Sequence, residues 1–281
     1  MEGCEVLTPD VSALIRPLRD LIVGLSNSDR IPQIEIAAGE RITVLVFRLL
    51  EPWNEDDGER VRAFAERHGI QIWEQRKGPE TARPFWPLDA PELGYSLPEF
   101  ELAMPFRPTE FTQVNAALNR ALVSRAIRLL DPRPGERIAD LFCGLGNFTL
   151  PIARRGADAI GIEGSTELVA RARENALRNR LPNAHFSVDD LFAMTPEKFA
   201  AWGRFDKLLI DPPRSGAVEV AKSLPATDAP RRIVYVSCDP ATLARDAKRL
   251  LSGGYRLERV TLFDLFPQTY HIESVSIFRR A

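Results

Sequence analysis

The sequence predicts an α/β protein with a doubly wound, mostly parallel sheet in its C-terminal part and a smaller α+β domain before it. From about residue 110, short apolar runs alternate with segments of helical periodicity, which is the pattern of strands linked by crossover helices. Glycines and carboxylates follow several of these runs, where the carboxyl ends of parallel strands form a ligand crevice. A proline-rich stretch before residue 104 predicts a loop or linker. We therefore place two domains, at 1–104 and 105–281.

The first domain has four segments with a clear pattern. Apolar residues recur at helical spacing in "VSALIRPLRDLIVGL", and "IPQIEIAAGERITVLVFRLL" predicts two strands around the turn "AAGE". A short helix is predicted in "GERVRAFAERHG", where Gly69 ends it, and "IQIWEQRKG" predicts another strand. The proline-rich "GPETARPFWPLDAPELGYSLPEF" is expected to be loop that leads into an extended segment.

The second domain begins with an amphipathic helix in "FTQVNAALNRALVSRAIRLL". Strands are predicted in "RIADLFC", "AIGIE", "AHFSVDD", "FDKLLID" and "RIVYVSC", and helices from about Asn147, in "STELVARARENALRN" and from Pro240. The closing pair, "YRLERVTLFDLF" and "HIESVSIFRR", predicts a hairpin at one edge of the sheet.

Composition limits the classes of function. The 281 residues carry a net charge of −2, so there is no global basic surface of the kind that nucleic acids attract, although a local one is compatible with this average. Three cysteines have neither disulfide nor metal-ligand spacing, which indicates thiols in a reducing compartment and no metal site. No apolar stretch approaches the length of a membrane span. We expect a soluble, cytoplasmic, monomeric protein without a membrane partner.

A glycine-rich turn follows the first strand of the second domain, in "ADLFCGLGNFTLPIA". Gly144 and Gly146 allow close approach of a ligand to the backbone, next to the free N–H groups of a helix start. A dinucleotide site requires a third glycine, but Thr149 occupies that position. The sequence thus disfavours a nicotinamide cofactor.

Carboxylates end the strands that follow. Glu163 is placed to accept hydrogen bonds from ribose hydroxyls, and Asp190 and Asp211 end the next two strands, although each alone is more often a turn or helix cap. Together with the glycine turn they resemble the class I S-adenosylmethionine-dependent methyltransferases, whose cofactor has ribose and adenine but no phosphate.

A thiol follows the fifth strand, in "VYVSCDPATLARD". C5 of a pyrimidine is a poor nucleophile, and a thiolate that adds to C6 activates it, after which a base must remove the C5 proton. Cys238 and Glu273, in "HIESV", supply both groups, and the following helix start is expected to lower the pKa of the thiol. "DPPR" is similar to the "NPPY" loop of nucleobase amino-methyltransferases but has Asp for Asn and no aromatic ring. An amino-group methyltransferase and a non-catalytic ligand-binding protein stay open, and uracil is favoured over cytosine because Ser, not Pro, precedes Cys238.

The set "FTQVN", "DLFCGLGNFTL", "DPPRSG", "IVYVSCDPATLARD" and "QTYHIESV" resembles the RNA uracil-C5 methyltransferase family over residues 111 to 275. The resemblance implies that Cys238 is the nucleophile, that Glu273 is the base, and that the target uridine is flipped out of its RNA fold. It also implies a set of S-adenosylmethionine-binding positions: Gln113, Phe142, Asn147, Glu163, Asp190 and Asp211. Of these, Gln113 and Asp211 are also expected to reach the target base, and His271 is expected to position the turn around Glu273.

The start of the chain departs from the family pattern. "GCEVL" resembles the rRNA branch, which implies a uridine in 23S rRNA as substrate, and the tRNA branch is the alternative. Members of the rRNA branch carry an N-terminal OB-like RNA-binding domain and four cysteines that hold a [4Fe–4S] cluster. Here Cys4 matches the last of the four, its three partners are missing, and one thiolate cannot hold the cluster. A fragment, an alternative start, a natural short form and a non-catalytic remnant that binds S-adenosylmethionine are all compatible with this pattern.

Overall fold

The computed structural model describes residues 2–266 and 268–280. By its internal packing the chain divides into two units, Met1–Ser96 with Pro105–Thr112 and Leu97–Met104 with Gln113–Ala281. The chain passes between the units more than once near residue 104, so the single boundary placed there stays a prediction. A two-stranded sheet of β5 (Gly94–Leu97) and β6 (Leu102–Pro105) lies in this part of the chain.

The first unit contains a four-stranded sheet and the helices that pack with it. Its helices are α1 (Pro9–Ala13), α2 (Ile15–Gly24) and α3 (Glu55–His68), and its strands, in order across the sheet, are β1 (Gln33–Ala38), β2 (Thr43–Arg48), β3 (Gln71–Gln75) and β4 (Arg83–Trp86). β1 and β2 pair antiparallel around the predicted turn, and β2 and β3 pair parallel through α3. The predicted α+β character is therefore present.

Three local features of the first unit follow from its sequence. Asn54 accepts a hydrogen bond from the Asp57 N–H at 2.8 Å at the start of α3, and Gly69 ends that helix with a φ of 61°. The one helix predicted over residues 11 to 25 is two helices that meet at Leu14, and Pro17 lies in the first turn of the second, where no N–H is needed. The stretch predicted as loop contributes β4, which pairs antiparallel with β3.

The second unit contains a seven-stranded sheet within the described residues. Its remaining strands are β7 (Arg137–Leu141), β8 (Asp158–Glu163), β9 (Ala184–Val188), β10 (Lys207–Ile210), β11 (Arg232–Ser237), β12 (Tyr255–Phe263) and β13 (Glu273–Arg280). Its helices are α4 (Ala116–Leu130), α5 (Thr149–Arg154), α6 (Thr166–Arg178), α7 (Pro196–Ala201), α8 (Val218–Ser223) and α9 (Pro240–Ser252).

The order across this sheet is β12-β13-β11-β10-β7-β8-β9. Neighbours from β11 to β9 pair parallel, and β13 runs antiparallel to both β11 and β12. This confirms the predicted doubly wound α/β class and the hairpin at one edge. The large buried side chains Tyr235, Phe205 and Phe278 pack between the sheet and its helices. Because β13 is reversed, its first residue lies at the edge where the parallel strands end.

Within residues 2–266 and 268–280, no helix combines the length and apolar character needed to cross a bilayer.

Candidate active site

The end of β11 and the start of β13 are adjacent because these strands pair antiparallel. Ser237 pairs with Ser274 in the register, and the Ser274 hydroxyl donates to the Ser237 carbonyl at 3.3 Å. Cys238 follows the first of these serines and Glu273 precedes the second. The two residues predicted to share the chemistry, 35 positions apart in the chain, are thus brought to one edge of the sheet.

Cys238 lies half-buried between the end of β11 and the cap of α9. Asp239, the next residue, caps α9 by accepting hydrogen bonds from Ala241 and Thr242 N–H groups, both at 2.9 Å. The expectation of a lowered pKa for the thiol is wrong. Burial raises the pKa of Cys238, and the nearby carboxylates of Glu273 and Asp211 raise it further, against a smaller opposing effect of the Arg214 charge.

Glu273 is the most enclosed of the predicted site residues, with 5% of its surface exposed. Burial raises the pKa of its carboxyl. Two positive or hydrogen-bonding neighbours act in the opposite direction: His271, whose Nε2 lies 3.0 Å from Oε1 of Glu273, and Arg214. The side chain is therefore a buried acid with a directed partner on one of its two oxygens.

Asp211 directly follows β10, and its N–H donates to the Leu141 carbonyl at 3.1 Å. Burial raises the pKa of its carboxyl well above the ordinary value, and the negative charges of Glu273 and Asp140 add to this effect. The charge of Glu273 raises the pKa of both Asp211 and Cys238, and the charge of Asp211 raises that of Cys238, so the three side chains lie near one another at this edge of the sheet.

The glycine-rich turn is tied to the end of β8. The N–H groups of Phe142 and Cys143 donate to the Ile162 carbonyl at 2.9 and 3.1 Å, and Phe142 adopts a φ of 65°. Gly144, with a φ of 53°, donates to Oε2 of Glu163 at 3.1 Å. A Cβ at Gly144 would meet no atom within 4 Å, so the turn borders open space on that side.

Glu163 is held from both sides. Oε2 accepts from the Gly144 N–H, and Oε1 accepts from the Ser165 N–H at 3.0 Å, at the cap of α6. Each carboxylate oxygen keeps acceptor capacity beyond these bonds. A half-buried carboxylate fixed beside an open glycine turn is suited to bind vicinal hydroxyl groups.

Two of the predicted cofactor residues make local contacts. The amides of Asn147 and Asn119 exchange hydrogen bonds at 2.9 and 3.2 Å, which ties the glycine turn to α4. Asp190 is exposed and accepts from the N–H groups of Phe192 and Ala193, at 2.9 and 3.3 Å. These hydrogen bonds make Asp190 the cap of the following helical turn, which was the alternative to a cofactor-binding role for this residue.

Gln113 lies half-buried shortly before α4, and its approach to the other site residues stays a prediction.

The sequence reasoning missed three residues at this edge of the sheet. Asp140 is fully buried in β7; Oδ2 accepts from the Thr149 hydroxyl at 2.5 Å, whereas Oδ1 has no hydrogen-bond partner in the described part of the chain. Burial raises its pKa to about 7. Arg214 is the positive charge near Cys238 and Glu273, and Asp246 anchors the segment that carries it. The detectable signal was a charged residue inside the apolar run "RIADLFC".

The described residues contain no cluster of three or more His, Cys, Asp or Glu arranged to hold a metal ion. Cys4 lies in the first unit, where its N–H donates to the Ser12 hydroxyl at 2.9 Å, and the other two cysteines, Cys143 and Cys238, belong to the second. The residues present do not fit the four-thiolate cluster of the rRNA branch.

Comparison with known proteins gives a family match for residues 100–281, to the model described as tRNA (Uracil-5-)-methyltransferase. Among curated relatives, the 23S rRNA (uracil(1939)-C(5))-methyltransferase RlmD of Thiobacillus denitrificans is 76% identical over 281 residues, all of this chain and 65% of the relative. The protein of the same name from Nitrosospira multiformis is 54% identical over 284 residues, again 100% of this chain and 65% of the relative. The chain thus spans 65% of the length of each of these relatives, slightly less than two thirds.

Among solved structures, the tRNA (uracil-54, C5)-methyltransferase of Pyrococcus abyssi, in complex with S-adenosyl-L-homocysteine, matches with a TM-score of 0.73. The two chains are 24% identical, and the match covers 99% of this chain and 69% of that one. This likeness establishes a shared fold.

Proposed function

The chain belongs to the tRNA (uracil-5-)-methyltransferase family, and from that premise we propose that it methylates C5 of a uridine in 23S rRNA with S-adenosylmethionine. The single observation that supports the proposal is the pairing of Ser237 with Ser274, because Cys238 follows the first and Glu273 precedes the second, at the edge where the parallel strands end. A methyltransferase that acts on a nitrogen has no need of either group.

We assign the cofactor to the open space beside Gly144, with Glu163 as the acceptor for the ribose hydroxyls. The remaining positions proposed for the cofactor are Gln113, Phe142, Asn147, Asp190 and Asp211. When bound, S-adenosylmethionine supplies an electrophilic methyl group on a sulfonium. The side-chain amide of Asn147, two residues before α5 begins, already contacts Asn119.

We assign the chemistry to Cys238 and Glu273. After its proton has been lost to solvent, the Sγ thiolate of Cys238 forms a bond to C6 of the uracil, and the electron pair of the C5–C6 double bond moves to C5 and O4. C5 then forms its bond to the methyl carbon while the bond from that carbon to the sulfonium sulfur breaks, and the sulfur leaves with the electron pair as a neutral thioether. Glu273 removes the C5 proton, the C5–C6 double bond is restored, and the bond from C6 to Sγ breaks. The raised pKa of Asp211 favours its neutral form. A neutral Asp211 removes one of the negative charges that oppose formation of the Cys238 thiolate.

The substrate proposal combines chemistry with relatives. The two relatives described above are named for uracil 1939 of 23S rRNA, so we propose a 23S rRNA uridine that is flipped into the site. A tRNA uridine is the alternative, since the family description names tRNA. We further propose a cytoplasmic monomer: the thiols are free, and all the assigned residues lie in one unit of one chain.

The proposal is tested with RNA that carries tritium at C5 of every uridine. Transcripts of a 23S rRNA fragment and of a tRNA are incubated with the protein and S-adenosylmethionine. We expect one tritium released per methyl group incorporated, with the 23S rRNA fragment preferred. Methyl incorporation without tritium release would exclude C5 as the acceptor, and preference for the tRNA would reassign the substrate.

A further inference from the structure

His271 and Glu273 form a directed pair at the edge of the site. Nε2 of His271 lies 3.0 Å from Oε1 of Glu273, and the side chains are 22% and 6% exposed. An ionised carboxylate only accepts hydrogen bonds, so the Nε2 atom must carry the proton for this contact to be favourable. The other carboxylate oxygen, Oε2, is left for a different partner.

The segment that carries His271 has hydrogen bonds of its own. The backbone N–H of His271 donates to the Thr269 hydroxyl at 3.1 Å, and Thr269 donates through its backbone N–H and its hydroxyl to the Phe266 carbonyl at 2.8 and 3.0 Å. The Phe266 ring stands edge-on to the imidazole, with 5.5 Å between ring centres. The ring orientation is therefore set by its own segment rather than by Glu273 alone.

Burial opposes the form of Glu273 that the reaction needs. A base must be ionised, and removal of a carboxylate from water favours its neutral form. The charged and titratable groups that face Glu273 are Cys238 at the end of β11, Asp211 and Arg214 beyond β10, and His271 on its own segment. Cys238 and Asp211 add negative charge when ionised, so only Arg214 and His271 favour the carboxylate.

We propose that His271 is a positioning residue that donates its Nε2–H to Oε1 of Glu273, keeps this buried carboxylate ionised, and leaves Oε2 to remove the C5 proton. The inference rests on the proposed function and deepens it. No bond in the reaction is made or broken at His271. Its contribution to the reaction is made at the last step, because removal of the C5 proton requires an ionised Glu273 and the addition of Cys238 does not.

The test compares His271→Leu, which removes the donor, with His271→Gln, which keeps an N–H donor on a side chain of similar reach. Tritium release from C5 is measured in single turnover across pH, since release requires an ionised Glu273. In the leucine variant we expect the rising limb of the profile to move to higher pH, and each unit of movement lowers the rate on that limb about tenfold. The glutamine variant should restore most of the loss. In the leucine variant, methylated RNA joined to Cys238 should accumulate at pH values below the rising limb of its tritium-release profile.

A substrate with 5-fluorouridine separates the steps, because fluorine cannot be removed as a proton and adduct formation does not need Glu273. We expect adduct formation in both His271 variants to be no slower than in wild type, because a neutral Glu273 removes one of the charges that oppose the Cys238 thiolate. If the wild type is active and the variants show the same pH profile of tritium release as the wild type, the inference is overturned. It is also overturned if the variants lose adduct formation to the same extent as they lose tritium release. If His271→Leu fails to fold, Thr269→Val, which removes the anchor of the His271 N–H, should shift the limb in the same direction. A wild-type enzyme that releases no tritium would instead overturn the proposed function.

Discussion

The hydroxyl of Tyr235 donates to Oδ2 of Asp246 over 2.7 Å and so joins β11 to α9 inside the protein. Asp246 has no exposed surface, and it also accepts from the Ala217 N–H at 2.7 Å and from Nε of Arg245 at 2.8 Å. Arg245 in turn donates to the Ser215 carbonyl at 2.8 Å. One buried carboxylate thus holds the segment after β10 that carries Asp211 and Arg214.

We predict that substitutions at Asp246 and at Tyr235 lower the free energy of unfolding by different amounts. Asp246→Ala leaves the Tyr235 hydroxyl and Nε of Arg245 without this acceptor, and leaves the Ala217 N–H with the Tyr235 oxygen at 3.2 Å as its acceptor. The loss of the buried carboxylate should lower the free energy of unfolding by about 3–5 kcal/mol. Tyr235→Phe removes one donor and leaves the carboxylate its other partners, so it should cost about 0.5–1.5 kcal/mol. Urea unfolding of the three proteins measures both values. Equal losses would contradict the anchoring role of Asp246.

Much of the second unit was predictable from the spacing of apolar residues, which repeats every two residues in strands and every 3.6 residues in helices. The order of strands and helices from residue 116, and the edge hairpin, follow from alternation that a single local rule detects. Cys238 and Glu273 could be singled out because a thiol and an acid are unusual at the ends of apolar runs. Their adjacency depends on the antiparallel pairing of β11 with β13, whereas the sequence predicted only a hairpin at one edge of the sheet.

Buried charge was not predictable in the same way. Asp246 lies in a polar helical segment whose sequence resembles a solvated face, and its burial depends on Tyr235, 11 residues away. The predicted direction of the Cys238 pKa shift was wrong because burial of the thiol, and after it the charges of Glu273 and Asp211, raise the pKa. Electrostatic effects of this kind depend on distances that no local pattern encodes.

Asp140 should make stability depend on pH. Its pKa is about 7 in the folded protein against an ordinary 3.8, so the folded state binds this proton more tightly than the unfolded chain does. The free energy of unfolding therefore falls as pH rises from about 4 to about 7, by up to roughly 4 kcal/mol for this group. Asp140→Asn should flatten this slope but not abolish it, because Glu273 and Asp211 contribute with the same sign.

The measurement is denaturant unfolding at pH values from 4.5 to 8, without cofactor. Asp228→Asn is the matched control, since the Asp228 side chain is 73% exposed. The same slope in Asp140→Asn and in the control would show that Asp140 ionises normally.

Glu163 should contribute to cofactor affinity. Both of its oxygens are fixed by backbone N–H groups, of Gly144 and Ser165, which preorganises the carboxylate for hydroxyl donors. Glu163→Ala should weaken binding of S-adenosylmethionine by about 1.5–3 kcal/mol, about 10- to 150-fold. Calorimetric titration checks this, with Glu167→Ala, a change in the first turn of α6, as the control. Unchanged affinity in Glu163→Ala would place the ribose elsewhere.

The rate of thiol addition should rise with pH. The pKa of Cys238 is raised above its ordinary 9.0, and the thiolate is the attacking form, so the rate of adduct formation with 5-fluorouridine RNA should increase up to that raised value. Arg214 lowers the pKa of Cys238, and Arg214→Gln should therefore move the limb to higher pH, whereas Arg214→Lys should leave it nearly in place. A profile independent of pH in all three proteins would contradict the electrostatic account.

The central claim is that Cys238 attacks C6 of a uridine, and a stable adduct tests it most directly. A 23S rRNA fragment with 5-fluorouridine is incubated with the protein and S-adenosylmethionine and run on a denaturing gel. We predict a shifted protein–RNA band that is lost in Cys238→Ala and kept in Cys143→Ala, whose thiol is buried beside the glycine turn. A band that persists in Cys238→Ala, or its absence from a wild-type protein that methylates the unmodified RNA, would contradict the claim.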